Sequence, residues 1–181
     1  MTNNEIAFTA LCNEYCTALA DPFAFKATDF VDTMLRLLPR IYICARDCAV
    51  NEKLTEGNGW IDAAMSEAEY DSARRAVSAL LGEHDVYLEV FEEDMKYSET
   101  PVSSSISENL ADIYQALYDF LNTVRYGTDE TASAAIEAVT ESFREYWGTV
   151  LCNVLRALNY LWAQGLISDD EQASSGNQEL D

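Results

Sequence analysis

The sequence predicts an all-α fold, an up-and-down helical bundle of about five helices with a long C-terminal helix and an irregular segment at 83–105. Two observations predict this fold. Only 7 of the 181 residues are glycine and 3 are proline, so the chain has few turn-forming residues to separate short strands. Apolar residues instead recur every three or four positions, which is the spacing of one helix face. The length fits a single helical domain at 1–165, followed by a disordered acidic tail at 166–181.

The first two helices are predicted at about 4–20 and 29–49, each with its apolar residues along one face. Asp21-Pro22 ends the first helix, because the residue before a proline is pushed out of helical geometry. The apolar pattern of the second helix contains Pro39. Since proline removes a backbone donor and clashes with the preceding turn, we expect it to bend or interrupt this helix.

The starts of the third and fourth helices are marked by two capping boxes, in which a serine and a glutamate three residues later bond each other's backbone. Ser66-Glu-Ala-Glu opens a helix at about 67–81, and Ser105-Ile-Ser-Glu opens one at about 107–126. A glycine follows each helix directly and is the natural stop.

The last helix is predicted from apolar residues that repeat at helical spacing from Ile136 to Leu161, through Gly148. A single helix of about 35 residues would span roughly 50 Å, and one internal glycine costs only about 1 kcal/mol. We therefore expect one long helix, with any bend at Gly148. Trp147 lies on the apolar stripe, and the glycine beside it lets a backbone or a bulky ring approach closely.

The segment before the fourth helix contains Val86-Tyr-Leu-Glu-Val-Phe, which has the composition of a strand. No second strand candidate is visible, and one strand cannot form a sheet. We therefore expect an extended or irregular segment packed against the helices.

The charge of the chain is strongly negative, with 32 acidic against 11 basic residues and a formal net charge of −21. Nucleic-acid binding and docking on an anionic membrane surface both need clustered lysine and arginine. The basic residues here are scattered, so we expect no nucleic-acid partner and no membrane partner. Acidity of this kind favours solubility, and imitation of DNA is the rarer alternative. Residues 83–119 hold ten acids and one lysine, and the tail holds five acids and no base.

The five cysteines are an odd number, which does not suit a disulfide framework. No signal peptide or continuous apolar span is visible, so we expect reduced thiols in a cytoplasmic protein. Cys12/Cys16 and Cys44/Cys48 are pairs at helical spacing, and face-to-face packing could gather four thiols around Zn²⁺ or Cu(I). Both pairs lie on apolar faces, so core packing is preferred, and no metal site or cofactor is predicted.

Motifs for catalysis are absent from the sequence. There is one histidine, His84, and no Glu-x-x-His, HExxH, P-loop, GxGxxG or GxSxG pattern. No catalytic residue is therefore assigned. Asp112 is predicted to project away from the apolar stripe of its helix and into water, unless the 83–105 segment covers that face. In that case acids and tyrosines would contact a ligand or partner, and the candidates are Glu89, Asp94, Tyr97, Asp112 and Tyr114.

Three stretches together resemble a known family: YLEVFEEDMKY at 87–97, ISENLADIYQ at 106–115, and FREYWG at 143–148 followed by LRAL. Their order and spacing are similar to a bacterial family known only as a domain of unknown function, found mainly in Bacteroidetes. The resemblance covers roughly residues 5–162. It implies a small, acidic, all-helical cytoplasmic protein. It transfers no activity and no catalytic residue, and the cysteine pairs are not part of the pattern.

Three functional hypotheses remain open. The leading one is a non-enzymatic protein-interaction or structural module whose partner is another protein, because the acids and tyrosines concentrate in one segment. The first alternative is a small-ligand binder or enzyme with a carboxylate/tyrosine pocket near 89–118. The second is a thiolate metal site built from Cys12, Cys16, Cys44 and Cys48. The oligomeric state is not indicated by the sequence.

Overall fold

The computed structural model describes residues 1–51, 59–89 and 102–168, with the backbone alone at 50–51. Its helices and strands are α1 (Asn3–Ala20), α2 (Ala27–Asn51), α3 (Glu67–Leu81), β1 (Val86–Leu88), β2 (Ser103–Ser105), α4 (Ile106–Tyr126), α5 (Asp129–Ser142) and α6 (Gly148–Gln164). One π-helical turn, Phe143–Trp147, joins α5 to α6, so the C-terminal helix is unbroken over 36 residues. The predicted helical bundle with a long final helix is confirmed.

The ends of the helices follow local sequence signals. The Ser66 hydroxyl accepts the Glu69 N–H at 3.2 Å, and the Glu69 carboxylate accepts the Ser66 N–H at 2.8 Å, which completes the predicted capping box of α3. Gly82 ends α3 with a φ of +56°. Residues that carry a side chain rarely adopt this backbone conformation. At the start of α4 one of the two hydrogen bonds of the predicted capping box is present, since the Ser105 hydroxyl accepts the Glu108 N–H at 3.2 Å.

Pro39 does not interrupt its helix, so of the two expected outcomes, a bend or an interruption, the interruption is wrong. α2 runs through the proline as one continuous helix. Proline costs a helix interior about 3 kcal/mol, but Phe30, Met34 and Leu38 are fully buried along the core face of α2. Most helical stability in proteins comes from such packing rather than from propensity, and here the packing holds the helix together.

The strand-like run at residue 86 does have a partner, so the expectation that none exists is wrong. β1 pairs antiparallel with β2 in the register Val86 with Ser105 and Leu88 with Ser103. Three consecutive serines carry no strand signal. The pairing depends on the backbone, because α3 and α4 bring the two segments side by side. Residues 90–101 of the predicted irregular segment lie outside the described residues.

The core of the bundle is arranged around α4, which packs against α1, α3, α5 and α6, while α2 packs against α1 and α6. Phe8 of α1 and Phe120 of α4 meet with ring centres 5.5 Å apart. Tyr15 is fully buried and donates its hydroxyl hydrogen bond to the Leu110 carbonyl at 2.8 Å. Across the described residues, no helix combines the length and the apolar character needed to cross a membrane. Of the predicted tail, 169–181 lie outside the described residues.

The π-helical turn brings two aromatic side chains into the core. Phe143 and Trp147 are both buried with ring centres 4.7 Å apart, and the Trp147 indole N–H donates to the Val139 carbonyl at 3.1 Å. A Cβ atom at Gly148 would lie 2.4 Å from the Phe143 carbonyl oxygen and 2.9 Å from its ring. This close approach is the role predicted for the glycine.

Replacing Gly148 with alanine is therefore expected to lower the free energy of unfolding by about 1–3 kcal/mol, since the added methyl group overpacks the turn. Helix propensity alone predicts that the free energy of unfolding rises by about 1 kcal/mol. The sign of the measured change therefore shows whether overpacking or helix propensity dominates. Urea unfolding of Gly148→Ala measures it. The matched control is Thr149→Ala at the exposed neighbouring position, which we expect to change stability little. A more stable Gly148→Ala variant would contradict the close packing.

Candidate functional site

Asp112 lies on α4 where α3 and the π-helical turn meet it. The Tyr70 hydroxyl donates to its Oδ1 at 2.7 Å, and the Tyr146 hydroxyl donates to its Oδ2 at 2.5 Å. The carboxylate is half-buried, so its predicted projection into water is wrong. The reason is tertiary, because α3 and the π-helical turn cover this face of α4.

The two phenols of this cluster stay protonated at neutral pH. Burial and then the hydrogen bond to Asp112 raise the pKa of Tyr146 to about 12. The same causes, in the same order, raise the pKa of Tyr70 well above its ordinary value. Ionising either phenol would place a second negative charge beside the carboxylate. Both tyrosines therefore act as hydrogen-bond donors that tie three helical segments together.

This arrangement predicts a loss of stability at alkaline pH. A folded-state pKa of about 12 for Tyr146 lies above the ordinary value of about 10. The resulting stabilisation is complete below about pH 10 and is lost as the pH rises through about 12. We expect a shallower decline in Asp112→Asn, whose amide does not repel a phenolate. Urea unfolding at several alkaline pH values measures the decline. Glu141→Gln, at an exposed carboxylate, is the control, and identical profiles for Asp112→Asn and the wild type would contradict the cluster's role.

Glu89 lies apart from Asp112 and has partners of its own. It is buried, its carboxylate accepts the Tyr87 hydroxyl at 3.2 Å, and its N–H donates to the Val102 carbonyl at 2.8 Å. Asn109 donates to the same tyrosine hydroxyl. Glu89 therefore belongs to a hydrogen-bond cluster that fastens the strand pair to α4.

Tyr114, the other predicted site residue in the described part of the chain, belongs to neither cluster. Tyr114 is buried on α4 with its ring centre 5.8 Å from that of Tyr118, and burial raises its pKa to about 12. Asp94 and Tyr97 lie outside the described residues. The three predicted residues that the structure describes thus have separate hydrogen-bond and ring partners, and their role as a contact site stays a prediction.

A groove of about 740 Å³ lies between α2 and the π-helical turn with the following part of α6. We call it the arginine groove; its lining is Tyr42, Arg46, Ala49, Phe143, Arg144, Gly148, Thr149, Cys152, Asn153 and Arg156. The Tyr42 and Phe143 rings meet edge to face with centres 5.2 Å apart. The groove thus combines aromatic surface with three guanidinium groups.

The arginines of this groove have no carboxylate partners within the described residues. The ion-paired arginines elsewhere are Arg36, Arg40, Arg74 and Arg75. Neither Arg46 nor Arg144 forms an ion pair in the part of the chain that the structure describes. Arg156 is held in place without one, since its Nη2 donates to the Leu88 carbonyl at 2.7 Å and its guanidinium carbon lies 5.7 Å from the Tyr87 ring centre. Three guanidinium groups that have no carboxylate partner in the described ranges therefore line one concave surface.

The sequence reading missed this groove because its arginines are far apart in the chain and lie in no shared motif. Arg46 is on α2, Arg144 is on the π-helical turn and Arg156 is on α6. Arg144 lies beside the apolar stripe of the last helix, whereas Arg156 lies on the opposite side of that helix, so no pattern along one face signals the pair. Only the packing of α2 against α6 adds Arg46 to them.

The cysteines of the two pairs behave as core residues. Cys12, Cys16 and Cys48 are buried, and Cys44 is half-buried. Burial, followed by the neighbouring thiols, raises the pKa of Cys12 well above its ordinary value, which keeps it protonated. Within the described residues, no three histidine, cysteine, aspartate or glutamate side chains come close enough to hold a metal ion. The burial of Cys12, Cys16 and Cys48 agrees with the core packing that the sequence favours for these thiols.

A further carboxylate that sequence reasoning missed is Asp85, which is 6% exposed. One of its oxygens accepts the Ser107 N–H at 2.7 Å, and the other accepts the Ser107 hydroxyl at 2.7 Å and the Ser105 hydroxyl at 3.1 Å. The negative charge thus lies at the start of α4, where the helix dipole favours it. Its role is to join the end of α3 to α4.

Comparison with known proteins identifies the family. The model of the family described as Domain of unknown function (DUF5063) matches residues 1–164. The chain belongs to this family. The crystal structure of protein BF1032 from Bacteroides fragilis is similar, with 30% identity and a TM-score of 0.73, covering 87% of this chain and 90% of that one. The comparison with curated proteins found no match. The resemblance noted in the three sequence stretches is confirmed as far as a domain of unknown function with a structural relative from a Bacteroides bacterium.

Proposed function

We propose that this chain is a non-enzymatic protein-interaction module that binds an acidic segment of a partner protein in the arginine groove. One observation carries the proposal: in a chain with a net charge of −21, three arginines that form no ion pair with any described residue line a single groove. With 32 acidic residues in the chain, paired arginines would be the ordinary outcome. Because these guanidinium groups pair with no carboxylate among the described residues, they offer a site for the carboxylates of a partner.

The chemistry of the groove suits carboxylates. A guanidinium group offers five N–H donors in a planar fork that matches a carboxylate. The contact of Arg156 with the Leu88 carbonyl and the Tyr87 ring orients one of these groups before any ligand arrives. Such preorganisation reduces the entropy lost on binding.

The net negative charge of the chain does not prevent this contact. Repulsion from distant carboxylates slows the encounter with an acidic partner, but at about 0.15 M salt the screening length is about 8 Å. Contacts within the groove are shorter than that length and are weakened less. The arginines therefore decide the affinity at physiological ionic strength.

Fluorescence anisotropy with a labelled octaglutamate peptide tests the proposal. We expect the double variant Arg46→Ala/Arg144→Ala to bind about tenfold or more weakly than the wild type, since each charge-assisted hydrogen bond contributes about 1.5–3 kcal/mol. The matched control is Arg125→Ala, which removes an exposed arginine that has no ion pair in the described residues and lies outside the groove. Equal affinities for the double variant and the control would overturn the proposal.

The two alternatives receive less support. Both carboxylate oxygens of Asp112 already accept hydrogen bonds from phenols, which leaves them less available to a ligand. The carboxylate/tyrosine pocket near 89–118 stays a prediction. The thiolate metal site has no support in the described residues, where no group of three suitable side chains forms.

A further inference from the structure

The arginine groove continues into a second cavity of about 560 Å³ with a different character. We call this the apolar end; its lining is Asp32, Leu35, Pro39, Cys152, Leu155, Arg156, Asn159 and Trp162. Cys152 and Arg156 line both cavities. The arginine groove and the apolar end are therefore adjacent depressions along α2 and α6, and we call the two together the furrow.

The furrow is long enough for a short peptide. Along α2 it extends from Asp32 to Ala49, which is about 25 Å at 1.5 Å per residue. An extended chain advances about 3.3 Å per residue. About eight residues of a partner would fill the furrow.

The two ends of the furrow differ in chemistry. One end has the three guanidinium groups, and the other exposes the Trp162 side chain at 63% beside the half-buried Leu35 and Leu155. Asp32 is the one acid in this lining, and Arg36 pairs with it at 2.8 Å. The apolar end therefore offers a hydrophobic surface next to the cationic surface.

We infer that the partner segment is an extended acidic run with a large apolar side chain at one end. The inference rests on the proposed function and specifies its ligand. Charge complementarity places the acidic run over the arginines, and Arg156, which lines both cavities, joins this run to the apolar contact. An exposed tryptophan in a concave surface is a typical anchor at protein interfaces, because it buries a large area with little loss of entropy.

Three labelled peptides test the inference: octaglutamate, and heptaglutamate extended by one leucine at the N-terminal or the C-terminal end. We expect one of the leucine peptides to bind the full-length protein about tenfold more tightly than octaglutamate, as the burial of one leucine predicts. Trp162→Ala is expected to remove this gain without changing the affinity for octaglutamate. The control is Tyr160→Ala, an exposed aromatic residue that lines neither cavity, and it should leave the gain intact.

The outcomes separate this inference from the proposed function. If octaglutamate binds through the arginines but neither leucine peptide binds more tightly, the inference is wrong and the proposed function stands. If Trp162→Ala leaves the gain intact, the apolar end is not the anchor site and the inference is also wrong. If the affinity for octaglutamate is the same in the wild type and in the Arg46→Ala/Arg144→Ala variant, the proposed function itself fails. If sedimentation shows a wild-type dimer that Trp162→Ala dissociates, a second copy of the chain fills the furrow, and the inference is overturned.

Discussion

Replacing Trp147 with alanine is expected to lower the free energy of unfolding by about 3–5 kcal/mol, the usual cost of deleting a buried aromatic side chain. The indole is fully buried, lies 4.7 Å from the Phe143 ring and donates to the Val139 carbonyl. The substitution leaves a cavity beside the π-helical turn and removes the indole hydrogen bond to the Val139 carbonyl of α5. Urea unfolding followed by circular dichroism measures the loss.

Two further variants make this result interpretable. Trp162→Ala removes the same side chain from a position that is 63% exposed, and we expect it to change stability by less than about 0.5 kcal/mol. Trp147→Phe keeps most of the volume and gives a partial loss even if the alanine variant does not fold. Equal effects of Trp147→Ala and Trp162→Ala would contradict the burial described for Trp147.

Replacing Asp85 with alanine is expected to destabilise the fold by about 2–3 kcal/mol. The substitution leaves the Ser107 N–H and the hydroxyls of Ser105 and Ser107 without their carboxylate acceptor in a largely buried site. It also removes the negative charge from the start of α4, where the helix dipole favours it. Thermal unfolding measures the effect as a lower Tm.

The control for Asp85 lies two residues away in the same short segment. Glu83 has a side chain that is 85% exposed, so Glu83→Ala removes an equal charge without breaking a buried hydrogen bond. We expect it to change stability by less than about 0.5 kcal/mol. A matching loss in both variants would mean that net charge, and not the buried hydrogen bonds, explains the effect.

The helices were predictable because their signals are local. The capping residues Ser66 and Ser105, the stop at Asp21-Pro22 and the terminal Gly82 each act within one turn of backbone. The continuity of the last helix through Gly148 followed from the periodic apolar residues on both sides of it. The π-helical turn was not predictable, because the apolar residues Val139, Phe143, Trp147 and Val150 keep the three- and four-residue spacing of an ordinary α-helix.

The candidate sites were less predictable because they depend on packing. The acidic composition around Asp112 pointed to a polar residue worth attention, but its partners Tyr70 and Tyr146 come from two other helical segments. The pairing of β1 with three serines likewise had no sequence signal. In each case the deciding contacts join residues that are distant in the chain.

By itself, the sequence determined the helical class, the ends of most helices, the buried positions of Trp147, Cys12, Cys16 and Cys48, and the strongly negative charge. These properties follow from local backbone chemistry and from the periodicity of apolar residues. The tertiary structure alone decided that Asp112 accepts hydrogen bonds from Tyr70 and Tyr146, and that Arg46, Arg144 and Arg156 line one groove. The reason is physical: which polar side chains meet depends on how buried apolar faces pack, and that packing orients the opposite faces of the same helices.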